Sequence, residues 1–216
     1  MFDRGEGADR SDGFDEEAHA AVRKRAETGA EAVLISFLAG GTPRRFAHST
    51  LRRGGLAAAA RLGEATWHRH HGTDEPEAFE TPSSPADIAR LVHPMVAGAQ
   101  ADGHIDREER IRILETATAL DIGEPTLGCL RDALRQPPSI DDLVAQVLQP
   151  MHAAQIYLAA LLTTQPGHPR AEGFLCALSQ RLGLTADLER LLTRVARAQT
   201  SPGSRALPGS IPAAPR

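Results

Sequence analysis

From residue 84 to residue 199 the sequence repeats one pattern, in which a helix start signal precedes an amphipathic stretch and a stop signal. In the first unit, Ser84 is suited to an N-cap, Pro85 to the first helical position and Asp87 to the third. Apolar residues then recur at spacings of three and four, which is typical of a helix with one buried face. Seven helices are predicted in this way, over residues 84–101, 106–120, 124–136, 139–148, 150–164, 169–183 and 185–199.

The composition favours an all-α fold. Aromatic residues make up only 4% of the chain, and Ala and Leu dominate the apolar set, whereas strands prefer β-branched and aromatic residues. With 41% apolar residues, 216 residues are enough to bury a core. We therefore expect a seven-helix domain over residues 82–199, preceded by a helical, Arg- and His-rich lead-in region over residues 16–81. The acidic residues 1–15 and the Pro-, Gly- and Ser-rich residues 200–216 are expected to be disordered.

The lead-in region contains a basic segment, residues 44–71, with six arginines against one acid, Glu64. An apolar, Ala-rich stripe runs through residues 51–67 of this segment. The combination predicts a basic amphipathic helix, which lies on an anionic membrane surface or packs on a partner protein. The arginines expected to contact a membrane are Arg44, Arg45, Arg52 and Arg53.

Four carboxylates and one imidazole lie between the first two predicted helices, within residues 102–109. Asp106 is suited to cap the second helix, with Glu109 completing a capping box, while Asp102 ends the previous helix. An EF-hand alignment fails, because its first and third ligand positions fall on a glycine and a glutamine. A different geometry, in which Asp102, Asp106 and Glu109 hold one divalent cation with waters completing its shell, stays open beside the capping interpretation.

Motifs of the common enzyme classes are absent from the sequence. It contains no Gly-x-Ser-x-Gly, no P-loop, no Gly-x-Gly-x-x-Gly and no His-Glu-x-x-His, so we predict no catalytic residues and no enzyme activity. Cys129 and Cys176 each lie in an apolar helical pattern without CxxC spacing, which favours core positions for both. The three histidines beside Trp67 lack the spacing of a zinc site and are interpreted as a solvated helix end.

Charge and hydropathy narrow the expected partners and location. The net charge of −4 gives no indication of a nucleic-acid partner. The first 17 residues carry seven acidic and two basic side chains, unlike a secretory signal peptide. No apolar run reaches the roughly 18 residues that a membrane-spanning helix needs. A cytoplasmic protein is therefore expected, associated with the inner membrane through its basic segment.

The stretch Ala101-Asp102-Gly103-His104-Ile105-Asp106 with Glu109, set among these helices, resembles the tellurite-resistance protein B-like (TerB-like) superfamily and, more narrowly, the uncharacterised bacterial YebE-like proteins. Residues 52–57, 157–162 and 174–184 add to the resemblance, which covers about residues 50–199. It implies an all-α domain of two pseudo-equivalent halves, each with acids at a helix junction that hold a divalent cation. It also implies membrane association without an assigned activity. This chain departs from the pattern at its second junction, residues 165–171, which carries no acid.

Two functions follow as hypotheses. The first is a non-enzymatic helical TerB-like protein, stress-associated and peripheral to the inner membrane, with an unidentified protein partner. The second is a protein that binds or senses a divalent cation through residues 102–109, with His104 at the edge of the site. A metal-assisted hydrolase is a third and weaker alternative.

Overall fold

The computed structural model describes residues 31–35, 38–39, 51–74, 81–103 and 105–200. The regular secondary structure of these residues is entirely helical, so the all-α prediction is confirmed for them. Residues 31–35 are helical and precede α1 (Leu51–His71), α2 (Pro85–Gln100), α3 (Arg107–Ala119), α4 (Glu124–Arg135), α5 (Ile140–Val144), α6 (Pro150–Thr163), α7 (Pro169–Arg181) and α8 (Ala186–Thr200). The predicted disordered ends are residues 1–15 and 200–216, and they lie outside the described residues except for Thr200, which is the last residue of α8 instead of part of a disordered tail. Arg44, Arg45 and the side chains of Arg52 and Arg53 also lie outside the described residues.

Short local signals set the helix starts, as predicted. The hydroxyl of Ser84 accepts a hydrogen bond from the backbone N–H of Asp87 at 3.1 Å, which caps α2. Ser139 and Asp142 form a reciprocal capping box at the start of α5. At α8 the hydroxyl of Thr185 accepts from the backbone N–H three residues later. These side chains satisfy amide groups that the first turn of a helix cannot pair internally.

Helix α5 is shorter than predicted and ends at Val144 instead of near Leu148. Gln149 precedes a proline and adopts an extended conformation, φ −136° and ψ 153°, since the proline ring disfavours helical geometry in the residue before it. The chain between the two helices therefore forms turns. Its Leu148 side chain is 76% exposed, although the amphipathic pattern continues through it.

Helix α6 is the centre of the core. Eleven of its 14 residues are buried, including Ile156, Leu158 and Leu162, which are 0% exposed. A helix that is apolar on all sides must be enclosed by other elements. Helices α1 and α2 pack most extensively against it, and α7 and α8 also contact it.

Two glycines allow α1 and α2 to approach α6 closely. A Cβ added at Gly98 of α2 would lie 2.5 Å from the backbone oxygen of Ala160, and one added at Gly63 of α1 would lie 2.7 Å from Cα of Gln155. Both distances are shorter than any van der Waals contact between these atoms. The close packing of these helices therefore requires glycine at both positions.

The apolar stripe of the basic segment packs into the same core. Leu56, Ala59 and Ala60 are 4%, 1% and 2% exposed and belong to one apolar cluster with residues of α2, α6 and α8. These residues of the stripe are therefore covered by protein, and among the side chains described on α1 no large apolar one is exposed to insert among lipids. The predicted division of the chain at residue 81 stays a prediction, although α1 shares its core with the later helices.

Candidate functional site

The acidic junction, residues 101–103 and 105–106, connects α2 to α3. The backbone N–H of Gly103 donates to the carbonyl of Gln100 at 2.9 Å, and Gly103 adopts a φ of +125°, which glycine accommodates without the strain of a side chain. Asp106 follows in extended conformation and precedes the first residue of α3. His104 lies outside the described residues. Asp102 and Asp106 are thus placed on either side of a tight turn.

Asp106 and Glu109 act at the start of α3, as the capping interpretation predicts. The Oδ1 atom of Asp106 accepts from the backbone N–H of Glu109 at 2.8 Å, and Oε2 of Glu109 accepts from the backbone N–H of Asp106 at 3.3 Å. Both carboxylates also stand at the positive end of the helix dipole. Capping of α3 therefore explains the positions of these two acids without a bound ion.

Asp102 differs, because its bonding is incomplete. Its Oδ1 atom is buried and has no hydrogen-bond partner. The guanidinium of Arg170, from the first turn of α7, lies against the same turn, since a Cβ added at Gly103 would be 2.8 Å from its Nη1 atom. The α6–α7 junction therefore faces the acidic junction with a positively charged side chain, where the TerB-like resemblance implies an acid.

The predicted cation site is not assembled from these groups. Among the described residues, no group of three or more His, Cys, Asp or Glu side chains is arranged to hold a metal ion. Asp102, Asp106 and Glu109 are included in that statement, whereas His104 is not. Cation binding at the acidic junction stays a prediction.

A basic face covers the solvent side of α1 and α8. These helices are neighbours, with Nε2 of His70 and Oγ1 of Thr185 separated by 3.1 Å. Among the side chains described on them, six charged ones are exposed and five of these are arginine. The five are Arg61, Arg69, Arg190, Arg194 and Arg197, and the sixth is Asp187, which forms an ion pair with Arg190.

The other acids of these two helices face the protein. Glu189 accepts hydrogen bonds from the hydroxyls of Tyr157 at 3.1 Å and Ser179 at 2.8 Å, so α8 directs this carboxylate toward α6 and α7. Burial and the neighbouring Glu189 raise the pKa of Tyr157 above its ordinary range, which keeps the phenol protonated as the donor. Glu64 of α1 is only partly exposed, with an oxygen 4.0 Å from Nε2 of His68. Among the exposed side chains described on these two helices, positive charge therefore predominates, in a chain whose net charge is −4.

The histidines at the end of α1 bind separate partners. Nδ1 of His71 donates to the carbonyl of Trp67 at 2.9 Å, and the two rings stack with centroids 4.2 Å apart. Nδ1 of His68 lies 2.8 Å from the Thr73 hydroxyl. His71 is exposed, as expected for a solvated helix end, but that interpretation is wrong for His68, which is 9% exposed.

The two cysteines differ in exposure. Cys129 is partly buried, its thiol lies 3.9 Å from the carbonyl of Pro85, and burial raises its pKa, which favours the neutral form. The prediction of a core position is wrong for Cys176, which is exposed on α7. Leu178, two residues later, is 0% exposed, so Cys176 lies on the other side of the amphipathic boundary.

Sequence reasoning missed Arg90 and His152, two polar residues that are each 8% exposed. Nη1 of Arg90 lies 3.1 Å from Oδ1 of Asp87, the acid in the first turn of the same helix. Both residues line a cavity between α1, α2 and the start of α6. The spacing of Asp87 and Arg90 indicates an ion pair on one helix face, but it does not indicate that the arginine is buried.

Within the described ranges, no helix combines the length and apolar character needed to cross a membrane. A family model described as "Protein of unknown function (DUF533)" matches residues 24–196. An "Uncharacterized protein in ampR 5'region" from Yersinia enterocolitica is 26% identical over 122 residues, which cover 56% of this chain and 87% of that protein. No solved structure matches the chain.

The family match covers more than half of the chain and includes α1 to α7 and most of α8. DUF533 proteins are TerB-like, so the broader resemblance is confirmed, while membership of the YebE-like group stays a prediction. The chain belongs to the DUF533 family, whose members are TerB-like proteins of unknown function.

Proposed function

We propose that the chain is a non-enzymatic helical module that binds an anionic membrane surface through the basic face of α1 and α8. One observation carries the proposal: five of the six exposed charged side chains described on these neighbouring helices are arginine, while Glu64 and Glu189 face the protein. This mode of attachment is electrostatic. It needs no apolar insertion, and the apolar side of α1 is already packed against α6.

The expected strength follows from the number of arginines. A basic side chain close to an anionic leaflet contributes about 1 kcal/mol, so a face with several arginines would support reversible binding that weakens as salt rises. The proposal also includes membrane contact by Arg44, Arg45, Arg52 and Arg53, whose side chains lie outside the described residues. A stress-associated role at the inner membrane, and YebE-like membership, enter the proposal only through the family resemblance.

The polar groups described in the structure support a non-enzymatic role. The hydroxyls of Ser84 and Ser139 are bound at helix starts, and the raised pKa of Cys129 disfavours a reactive thiolate. The bonds of the two serines serve the fold.

Cosedimentation of the full chain with vesicles tests the proposal. We expect pelleting with phosphatidylcholine vesicles that contain phosphatidylglycerol, loss of pelleting in high salt, and none with phosphatidylcholine alone. The triple variant R69S/R190S/R194S should lose about 3 kcal/mol of binding free energy, roughly two orders of magnitude in affinity. The matched control R107S/R112S/R131S removes the same charge from exposed positions on α3 and α4 and should pellet like wild type.

Equal losses in the two triple variants would contradict the proposal, because they would show a response to net charge alone. Pelleting that persists in high salt would also contradict it. Duplex DNA as a competitor distinguishes a membrane surface from a general polyanion, and displacement of the protein from vesicles by DNA at low concentration would favour the latter.

A divalent cation at the acidic junction is a second candidate, favoured by the buried and unpartnered Oδ1 of Asp102. Asp106 and Glu109 fit less well, since each already binds a backbone amide, and Arg170 places a positive charge beside Gly103. Thermal unfolding of the full chain with chelator, and then with Mg²⁺, Mn²⁺, Ca²⁺ or Zn²⁺, tests this candidate. An ion at about 100 times its Kd should add about 2.7 kcal/mol to the free energy of unfolding, and D102A should abolish that gain.

A further inference from the structure

A cavity of about 800 Å³ lies between α1, α2 and the start of α6, away from the acidic junction. Its volume is in the range of cavities that hold small organic molecules. Apolar side chains of Leu91 and Met151 line part of it, and Arg90, His152 and Gln155 supply polar groups. Leu148, which is 76% exposed, stands at its edge.

The acid beside Arg90 is already fully engaged. Oδ1 of Asp87 lies 3.1 Å from Nη1 of Arg90, and Oδ2 accepts from the hydroxyl of Ser84 at 2.6 Å. The hydrogen bond from Ser84, assisted by the charge of Arg90, holds the pKa of Asp87 below its ordinary value. Glu64 also lines the cavity and lies near His68. Each carboxylate of the cavity wall therefore already lies beside a protein partner.

One donor on the same wall, on Arg90, lacks an acceptor. Arg90 is 8% exposed, and its Nε–H is buried without a hydrogen-bond partner. Nδ1 of His152 accepts from the backbone N–H of Leu148 at 3.2 Å, which places the ring proton on Nε2. Burial of an unmatched donor such as this Nε–H of Arg90 costs free energy, and an acceptor in the cavity would recover it.

We propose that this cavity binds a small organic carboxylate, with its charged end at Arg90 and His152 and its apolar body along Leu91 and Met151 toward Leu148. A carboxylate fits because it accepts several hydrogen bonds and pairs with a guanidinium in a charge-assisted contact. An organic cation would meet the positive charge and the unmatched N–H of Arg90, which disfavour it. The site is independent of the basic face, so either proposal can fail without the other.

Three probes, which separate the effect of charge from that of an apolar body, test the assignment on the full chain. Sodium hexanoate carries the charge and an apolar body, hexanol carries the body alone, and inorganic phosphate carries a charge alone. We expect hexanoate to raise Tm and to shift the backbone amide NMR signals of Arg90 and His152. Hexanol and phosphate at the same concentration should do neither.

Two variants locate the binding. R90Q should weaken hexanoate binding by about tenfold or more, whereas R131Q, on an arginine that lies 3.6 Å from Glu124 on the surface of α4, should bind like wild type. If R90Q does not fold, S83W serves instead, because Ser83 is an exposed residue at the cavity edge and its replacement should obstruct entry without disturbing the core. The proposal is overturned if hexanoate has no effect, if hexanol or phosphate matches it, or if S83W binds hexanoate unchanged.

Discussion

Asp106 and Glu109 each accept a hydrogen bond from the other's backbone amide, at 2.8 Å and 3.3 Å, and together they close the first turn of α3. This reciprocal contact assigns a structural role to two of the three carboxylates that the sequence offers as cation ligands. Of these three carboxylates, only that of Asp102 has a buried oxygen without a hydrogen-bond partner. The roles of these three carboxylates can therefore be tested one residue at a time.

Replacement of Asp106 by Ala should destabilise the protein by about 1 kcal/mol, because the amide of Glu109 loses its acceptor. D106S should retain most of the stability, since a serine hydroxyl can accept the same bond. Urea unfolding with chelator present measures both. Equal stability of D106A and wild type would show that the cap is not needed, and a loss seen only in the presence of a divalent ion would assign Asp106 to a metal instead.

Replacement of Gly103 by Ala should destabilise the protein by about 1–3 kcal/mol. The residue adopts φ +125°, and its added Cβ would lie 2.8 Å from Nη1 of Arg170. The matched control is G128A, inside α4, where an added Cβ meets nothing within 4 Å. Since alanine is the better helix former, G128A should be neutral or stabilise by up to about 1 kcal/mol. Urea unfolding of both variants checks the contrast, which would be absent if backbone conformation at residue 103 were unimportant.

Replacement of Gly98 by Ala should separate α2 from α6. The added methyl would lie 2.5 Å from the carbonyl oxygen of Ala160 and 2.8 Å from Oγ1 of Thr163, whose hydroxyl donates to the carbonyl of Met95 at 2.7 Å. We expect a loss of about 1–3 kcal/mol in thermal or urea unfolding, as for other overpacked cores. G173A, at an open position on α7, is the control. If the free energy of unfolding of G98A equalled that of wild type, α2 and α6 would be packed less closely than these distances require.

Helix positions were predictable because their signals are local. Ser84, Asp106 and Ser139 each bind an amide within three residues, so a short sequence window contains both partners. The length of α5 was not predicted, because the amphipathic pattern continues to Leu148 while the backbone is already constrained by Pro150. The spacing of apolar residues indicates which side chains can share a helix face, but it does not indicate where the backbone leaves the helix.

Contacts between distant segments were not predictable from the pattern. The apolar stripe of α1 is compatible with a lipid surface, a partner protein or α6, and only the three-dimensional arrangement selects α6. Arg170 reaches Gly103 from a junction 67 residues later in the chain, and no local signal pairs them. The same applies to Arg90, since burial of a charged residue depends on the helices around it.

Acidification should destabilise the protein through the buried His152 and the partly buried His93. Burial lowers the pKa of His93 below its ordinary 6.5, although Asp142 and Asp132 oppose the shift, and burial together with Arg90 lowers the pKa of His152. The unfolded chain therefore binds protons on these side chains at a higher pH than the folded chain does. As the pH falls below about 6.5, the unfolded state gains more protons and the free energy of unfolding decreases. Above that pH both residues are neutral in both states and contribute no pH dependence.

The structure gives a physical reason why protonation of these histidines should lower the free energy of unfolding. Nδ1 of His93 lies 3.2 Å from the side-chain amide nitrogen, Nε2, of Gln146, and Nδ1 of His152 accepts from the backbone N–H of Leu148. Protonation of the two rings would therefore remove both acceptors. Urea unfolding between about pH 7.5 and about pH 5 should show the decrease, and H93Q/H152Q should flatten it. Asp87 and Asp142 also have lowered pKa values, and their stabilisation is lost only as the pH falls below 3.8, outside this window. H71Q, at an exposed position, is the matched control, and a slope as steep in H93Q/H152Q as in H71Q would assign the pH dependence to other groups.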